Sequence, residues 1–143
     1  GVPGVGQITE AEMGTLLALT DLALGIFDGE TLVGFVLCLH PGTTYGSPNY
    51  AWFQAQYASF LYVDRIAIST QWRNQDLGSL LYAQVFEYAE ARGCPVTAEV
   101  NVRPPNPGSM RFHKRKGFVQ VGALEHHYGS VAMLLRTVSP ESS

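Results

Sequence analysis

Apolar residues recur along this chain in two rhythms, and these outline its elements. Leu22–Phe27, Thr31–Leu39, Phe60–Ile68 and Val96–Val102 are short runs dense in apolar, β-branched and aromatic residues, and each reads as a strand. Leu77, Leu81, Val85 and Ala89 instead return at helical spacing, with Gln84, Glu87 and Glu90 off that stripe, so Leu77–Arg92 reads as a helix. Gly93 ends it and Pro95 prevents its return. Asp28-Gly29-Glu30 is a hairpin turn in which Gly29 is free to take positive φ. Asn106 and Pro107 read as the N-cap and first residue of a helix running to about Lys116 and stopped at Gly117. Phe118–Val121 and Val131–Leu135 look like a closing strand pair.

At the start, residues 1–8 read as a loose lead-in, and Thr9-Glu10-Ala11-Glu12 as a capping box opening a short helix to about Leu19. The connection Pro41–Ser59 carries Tyr45, Tyr50, Trp52, Phe53 and Tyr57, and Tyr50–Tyr57 fits a helix of its own. Residues 137–143 form a polar tail. The order of elements implies a mixed α/β sheet with a crossover helix between strands 60–68 and 96–102.

Composition narrows the class. A chain of 143 residues, 46% hydrophobic and 15% charged, is expected to form one domain, 1–143, with its own core, and is not a disordered polymer. A net charge of −3 argues against a dedicated nucleic-acid partner. No apolar run approaches a membrane span: Leu32–Leu39 is broken by Gly34 and stops at His40. The opening GVPGVG lacks the basic start and apolar core of a secretory signal, so a cytoplasmic protein is expected. Cys38 and Cys94 lie in apolar stretches without a C-x-x-C pair and read as reduced, buried thiols rather than a disulfide or zinc site.

The stretch from Tyr62 to Ser79 carries the chemistry. A strand feeds a polar turn that opens a helix, so free backbone N–H groups and the positive helix end meet at one point suited to phosphate. Arg73 can pair with phosphate oxygens, although a solvated turn charge explains it too. Arg73-Asn74-Gln75-Asp76-Leu77-Gly78 resembles the Arg/Gln-x-x-Gly-x-Gly/Ala motif of the GNAT superfamily of acyl-CoA-dependent N-acyltransferases, with the first glycine replaced by Asp76. Asp64–Ile68 is similar to the family's fourth strand. Asn106-Pro107-Gly108-Ser109-Met110-Arg111-Phe112-His113-Lys114-Arg115-Lys116-Gly117-Phe118 resembles its Asn-x-x-Ser/Ala-x-x-Phe-Tyr-x-x-x-Gly-Phe signature. The likeness runs from roughly Leu22 to Leu135, and residues 41–60 match nothing general in the family.

The resemblance implies a central, mostly antiparallel sheet flanked by helices, with acetyl-CoA or another acyl-CoA as cofactor and no metal. The pantetheine arm would pair with Ile66 and Ile68, and the pyrophosphate would rest on the amides of Arg73, Asn74, Gln75, Asp76, Leu77, Gly78 and Ser79. A backbone N–H around Ala67–Ile68 would hold the oxyanion if the strand bulges there. Asp76 would cap its helix, or its carboxylate would occupy the anion's place and weaken binding; the side chain is expected to turn outward with binding kept. Asn101 and Asn106 could bond the pantetheine, although capping explains Asn106 equally, and Ser109 could face the cofactor or be an ordinary first-turn residue. Phe112 belongs to the signature. Lys114-Arg115-Lys116 suits the negative end of a helix, and Lys116 could also meet a CoA phosphate. Family members usually begin with a strand and a helix before the equivalent of Thr9, where this sequence has eight residues.

His113 stands where the family often has a tyrosine as general acid, and imidazole could keep that role or merely pack beside the cofactor. An acceptor amine must lose a proton before it attacks. Glu99 and Asp64, both in strands, are the candidate bases. An ion pair with a basic neighbour is the simpler account of Asp64, and a solvated strand position that of Glu99. The aromatic connection 41–60 is either an acceptor wall or a satellite hydrophobic cluster. His126-His127 reads as a surface pair at a hairpin tip.

Together these readings indicate acetyl transfer to a primary amine, on a small molecule or a peptide, by direct attack in a ternary complex. No activated nucleophile is evident. The alternative is a non-catalytic acyl-CoA-binding module. An unrelated nucleotide-binding domain would need a P-loop or a Gly-x-Gly-x-x-Gly, and neither occurs. No nucleic-acid or membrane partner is expected, and a homodimer is left open.

Overall fold

The structure, a computed structural model, describes residues 4–7 and 19–137. Its strands are β1 (Gly4–Gln7), β2 (Leu22–Asp28), β3 (Thr31–Leu39), β4 (Leu61–Ile68), β5 (Val96–Arg103), β6 (Val119–His126) and β7 (Gly129–Arg136). Its helices are α1 (Pro48–Gln56), α2 (Leu77–Arg92) and α3 (Pro107–Arg115). The seven strands form one sheet in the order β1-β2-β3-β4-β5-β7-β6. Every neighbouring pair is antiparallel except β4 and β5, which α2 connects as a crossover.

The elements follow their residues closely. Gly29, at φ 64°, makes the β2–β3 turn, and Gly93, at φ 69°, closes α2. Asn106 caps α3 as expected, its side chain accepting from the Ser109 amide at 3.2 Å. Three expectations need correction. Residues 4–7 are not a loose lead-in but edge strand β1, registered with Phe27 through Leu24, and Val5 packs against the core. The closing hairpin is longer than expected, because the pairing of β6 and β7 continues to His126↔Gly129. Asp76 stands at the head of α2 without capping it: its carboxylate accepts from Ser79 Oγ at 2.8 Å instead of a backbone amide. The capping box at Thr9 and its helix lie outside the described residues.

Two cores sandwich the sheet. On one face Leu81, Tyr82, Val85 and Ala89 of α2 pack on Ile26, Val36, Cys38, Leu61 and Val63. On the other, Tyr50 and Phe53 of α1 are fully buried against Leu39, Phe60, Tyr62 and Met133. Burying side chains of this size stabilises by roughly 1.5–3 kcal/mol each. The aromatic connection is thus a packed satellite core at these positions. Cys38 and Cys94 are buried free thiols, and burial pushes the Cys38 thiol up. No helix among the described residues is long and apolar enough to cross a membrane.

Candidate active site

The sheet opens between its two parallel strands. β4 and β5 pair only at Leu61↔Val96 and Tyr62↔Thr97. Just beyond, β4 bulges: Val63 faces Cys38 and Arg65 faces Leu37, which leaves Asp64 unmatched on β3. The bulge expected at Ala67–Ile68 is therefore three residues earlier, since Ala67 and Ile68 stay in register with Phe35 and Gly34. The Ser69 amide donates to the Val33 carbonyl at 2.8 Å. By strand alternation the backbone groups of Ala67 and Arg65 face β3, and those of Ile66 and Ile68 face the opening.

A cleft of about 680 Å³ begins at this open edge and runs to the heads of α2 and α3. Of the residues expected to bind the cofactor, Ile66, Ala67, Ile68, Arg73, Asn74, Asp76, Leu77, Gly78, Asn106, Ser109 and Phe112 line it. Gln75, Ser79, Asn101 and Lys116 do not. Gln75 is exposed in the turn. Ser79 is bonded to Asp76. The Asn101 carbonyl accepts from the Asn106 amide at 3.1 Å, beside the irregular end of β5. Lys116 ends α3 with its ammonium 5.5 Å from the centre of the Phe112 ring.

The turn before α2 keeps a glycine-like backbone without glycine. Asn74 and Asp76 sit at φ 65° and 62°, a region that asparagine and aspartate tolerate better than most residues. The first helical bond runs from the Leu80 amide to Asp76, so the amides of Leu77, Gly78 and Ser79 have no partner within the helix. Such a concave run of N–H groups suits an anion. Arg73 Nε donates to the Ile68 carbonyl at 3.3 Å, tying the turn to the end of β4. Gly78 lets α3 approach: a Cβ there would lie 3.3 Å from the Phe112 ring.

The three candidate catalytic residues meet in a second cavity of about 200 Å³. Its walls include Asp64, Glu99, Tyr82, Ser109 and His113, and the last two also line the large cleft. Glu99 is not a solvated strand residue. Burial pushes its carboxyl up, and Asp64 adds to the effect. Hydrogen bonding from Tyr62 and Asn49 opposes it, and the result is about 7. The Tyr62 hydroxyl donates to Oε1 at 2.9 Å and Oε2 at 3.2 Å. Asp64 is an ion-paired group: Arg65 Nε lies 2.9 Å from Oδ2 and the Tyr45 hydroxyl donates to Oδ1 at 2.6 Å. His113 is buried, with Nδ1 2.8 Å from the Ser109 carbonyl and Nε2 2.7 Å from the Tyr82 hydroxyl. A carbonyl only accepts, so Nδ1 carries the proton and Tyr82 donates to Nε2. Burial pushes the imidazole down, and the bond to Ser109 opposes it.

Tyr62, Tyr82 and Asn49 were not anticipated from the sequence, and Tyr45 only as a member of the aromatic connection. Tyr62 and Tyr82 lie in apolar runs that read as core, and their hydroxyl partners are 37 and 31 residues away. His126-His127 stands at the hairpin tip as expected, with His127 exposed; His126 is half-buried, its Nε2 3.0 Å from Asn49 Oδ1 and its ring stacked on Tyr128.

A sheet split between β4 and β5, with helix heads gathered at the split, is the architecture of acetyl-CoA-dependent acetyltransferases. Residues 8–118 match the Acetyltransferase (GNAT) family, and the chain belongs to that family, whose members use acetyl-CoA. A comparison with curated proteins finds no match. Among solved structures it is similar to the ribosomal-protein-S18-alanine N-acetyltransferase of Escherichia coli (TM-score 0.71, 11% identity, 96% of this chain and 95% of that one). It is also similar to Arabidopsis thaliana NAA60 in complex with acetyl-CoA (TM-score 0.72, 13% identity, 96% and 100%). A third similar structure is Arabidopsis thaliana Naa50 in complex with the bisubstrate analogue CoA-Ac-MVNAL (TM-score 0.70, 12% identity, 94% and 98%).

Proposed function

We propose that this chain, as a single domain, binds acetyl-CoA in the large cleft and acetylates a primary amine that enters from the α1 face. The observation that carries this reading is the opened edge of β4 with Glu99 beside it. The cleft fits the cofactor on two counts. The Ile66 backbone groups and the Ile68 amide face the opening, where they can pair with an amide-bearing arm beside the Ile68 carbonyl that Arg73 holds, and the amides at the head of α2 can donate to phosphate oxygens. Bound acetyl-CoA supplies an activated thioester.

Glu99 is the general base. An acid near 7 is ionised in a large fraction of molecules at neutral pH, yet basic enough to take a proton from an ammonium directly or through water. The freed nitrogen bonds the acetyl carbon as the carbon–sulfur bond breaks. Attack is direct, because Cys38 is buried and its thiol is pushed up, and Cys94 lies outside both cavities. Asp64, held by Tyr45 and Arg65, fixes the bulge and adds negative charge that favours a cationic acceptor. For His113 the packing role fits the geometry better than the acid role. Its proton rests on the Ser109 carbonyl and its other nitrogen is filled by Tyr82. Peptide amines are the first acceptors to try, since two of the similar structures are a ribosomal-protein-alanine acetyltransferase and a complex with a peptide-bearing analogue.

Calorimetric titration with acetyl-CoA and CoA, with ATP as control, tests the cofactor site. A screen of peptide and small amines tests turnover. Saturable binding of both CoA species with amine-dependent release of thiol supports the reading; binding without turnover on any amine overturns the catalytic part.

A further inference from the structure

We propose that Arg65 binds the acceptor, taking a carboxylate carried a few bonds from the reacting amine. The proposal rests on acetyl transfer to an amine entering from the α1 face, and it names the kind of amine. Register places the side chain. Arg65 pairs with Leu37, whose neighbours Val36 and Cys38 belong to the core that α2 covers. Successive residues alternate and paired residues share a face, so Leu37 and Arg65 point to the α1 side. Asp64 is there too, because its Oδ1 accepts from Tyr45, which packs on the α1 core. The bulge thus sets Asp64 and Arg65 on one face, where a regular strand would oppose them. Tyr62 and Thr97 are the last pair of β4 and β5, and Asp64 and Glu99 each stand two residues further on. A period of two keeps Glu99 on the face of Thr97, and its bond from Tyr62, a member of the α1 core, agrees.

Three charged groups therefore gather where the sheet parts, and they divide the work. The Asp64 side chain is 6% exposed and both its oxygens are engaged, by Tyr45 and by Arg65 Nε at 2.9 Å. It anchors the guanidinium rather than the acceptor. The Arg65 side chain is 54% exposed, and its guanidinium has four N–H donors beyond the one at Nε. Held at Nε, its planar fork is preorganised, and a carboxylate matches such a fork bidentately. Asp64, Arg65 and Glu99 share the wall of the cavity of about 200 Å³. In a space this small, an amine at Glu99 and a carboxylate at Arg65 are joined by a short spacer. A free α-amino acid meets that requirement, and so does a peptide whose first side chain is aspartate or glutamate. A simple alkylamine leaves the fork to water.

Paired acceptors test the proposal. Free α-amino acids are compared with their amides, and peptides beginning with Asp or Glu with those beginning with Asn or Gln. The reading is the ratio of kcat/KM between acid and amide, taken in the wild type, Arg65→Gln and Arg65→Lys. A general loss from a disturbed bulge divides out of each ratio, and the different amine pKa of an amide cancels between proteins. From wild type to Arg65→Gln the ratio is expected to fall roughly tenfold in one of the two sets, which identifies the source of the carboxylate. Arg65→Lys, which keeps the charge without the fork, should fall between them. A ratio that Arg65→Gln leaves unchanged in both sets overturns the proposal. If the wild type acetylates no amine, catalysis fails on its own account, and the same pairs are titrated by calorimetry into the protein–CoA complex. Carboxylate-selective binding that Arg65→Gln abolishes then upholds the role of Arg65, and its absence overturns it.

Discussion

The hydroxyl of Tyr62 spans the gap between β4 and β5 to reach both oxygens of Glu99, at 2.9 and 3.2 Å. Tyr62 belongs to the last registered pair of the two strands, Tyr62↔Thr97, so its ring stands where they part. The residue that ends the pairing also orients the Glu99 carboxylate. Its hydrogen bond favours the ionised carboxylate against burial. Tyr62→Phe is expected to move the acid limb of kcat/KM upward, with the rate lowered several-fold at pH 7 and largely restored above pH 9. A uniform loss at every pH would assign Tyr62 to packing alone.

Glu99→Gln should remove most turnover, about a hundredfold or more, while binding of acetyl-CoA persists. It should also change how stability depends on pH. The Glu99 carboxyl is raised from 4.5 to about 7, so the native state holds its proton more tightly than the unfolded chain does. The stability this contributes is fully present below pH 4.5 and lost as pH rises through 7. His113 works in the opposite sense. Its imidazole is lowered from 6.5, so its contribution is present above 6.5 and lost as pH falls below it. At pH 8 the Gln variant should be more stable than wild type by on the order of 3 kcal/mol, with the gap closing towards pH 4.5. Urea midpoints across that range measure the difference, and a constant gap would mean that burial does not perturb Glu99.

Asp76 holds a backbone angle that glycine takes at no cost, and its carboxylate borders the amides of the α2 head. Asp76→Gly should tighten CoA binding by about threefold to tenfold by removing a negative charge from the anion site. Stability should change little, because relief of the strained angle offsets the lost bond to Ser79. Asp76→Val should cost roughly 1–2 kcal/mol, since a β-branched side chain fits positive φ poorly. Calorimetry and thermal unfolding separate the two effects. Weaker binding in the glycine variant would show that the carboxylate organises the turn rather than crowding the ligand.

Local rules made the scaffold legible. The Leu77–Arg92 stripe, the Asn106 cap and the Gly93 stop are contacts within a few residues, and each element stands where its residues indicate. The turn before α2 was legible through its motif, and its positive-φ backbone is kept by Asn74 and Asp76 without glycine. What stayed hidden depends on strand register. The bulge at Asp64 is defined by which β3 residues face β4, and Tyr62 meets Glu99 only because parallel strands part at one pair. Edge strand β1 was missed because Gly4–Gln7 carries a single packed apolar side chain, that of Val5. The protonation of His113 was undecidable until Ser109 and Tyr82 were seen to fill both ring nitrogens.

Gly122 offers a test of how far α1 controls the amine side. It lies at the irregular stretch of β6, and the Trp52 indole covers it so closely that a Cβ would overlap the ring. Gly122→Ala must lift Trp52, and with it the helix α1 that carries it. Overpacking of this kind costs roughly 1–3 kcal/mol, so the unfolding midpoint should fall by several degrees. The large cleft is lined by β4 and by the turn and helices that follow it, not by α1, so the affinity for CoA should hold. Turnover should fall through kcat and the KM for the amine. Gly46→Ala is the control, because Gly46 is exposed and a Cβ there meets nothing within 4 Å. Equal losses of CoA affinity and amine turnover in Gly122→Ala would mean that the two faces of the sheet are not separable, and that α1 supports the whole site rather than its acceptor side.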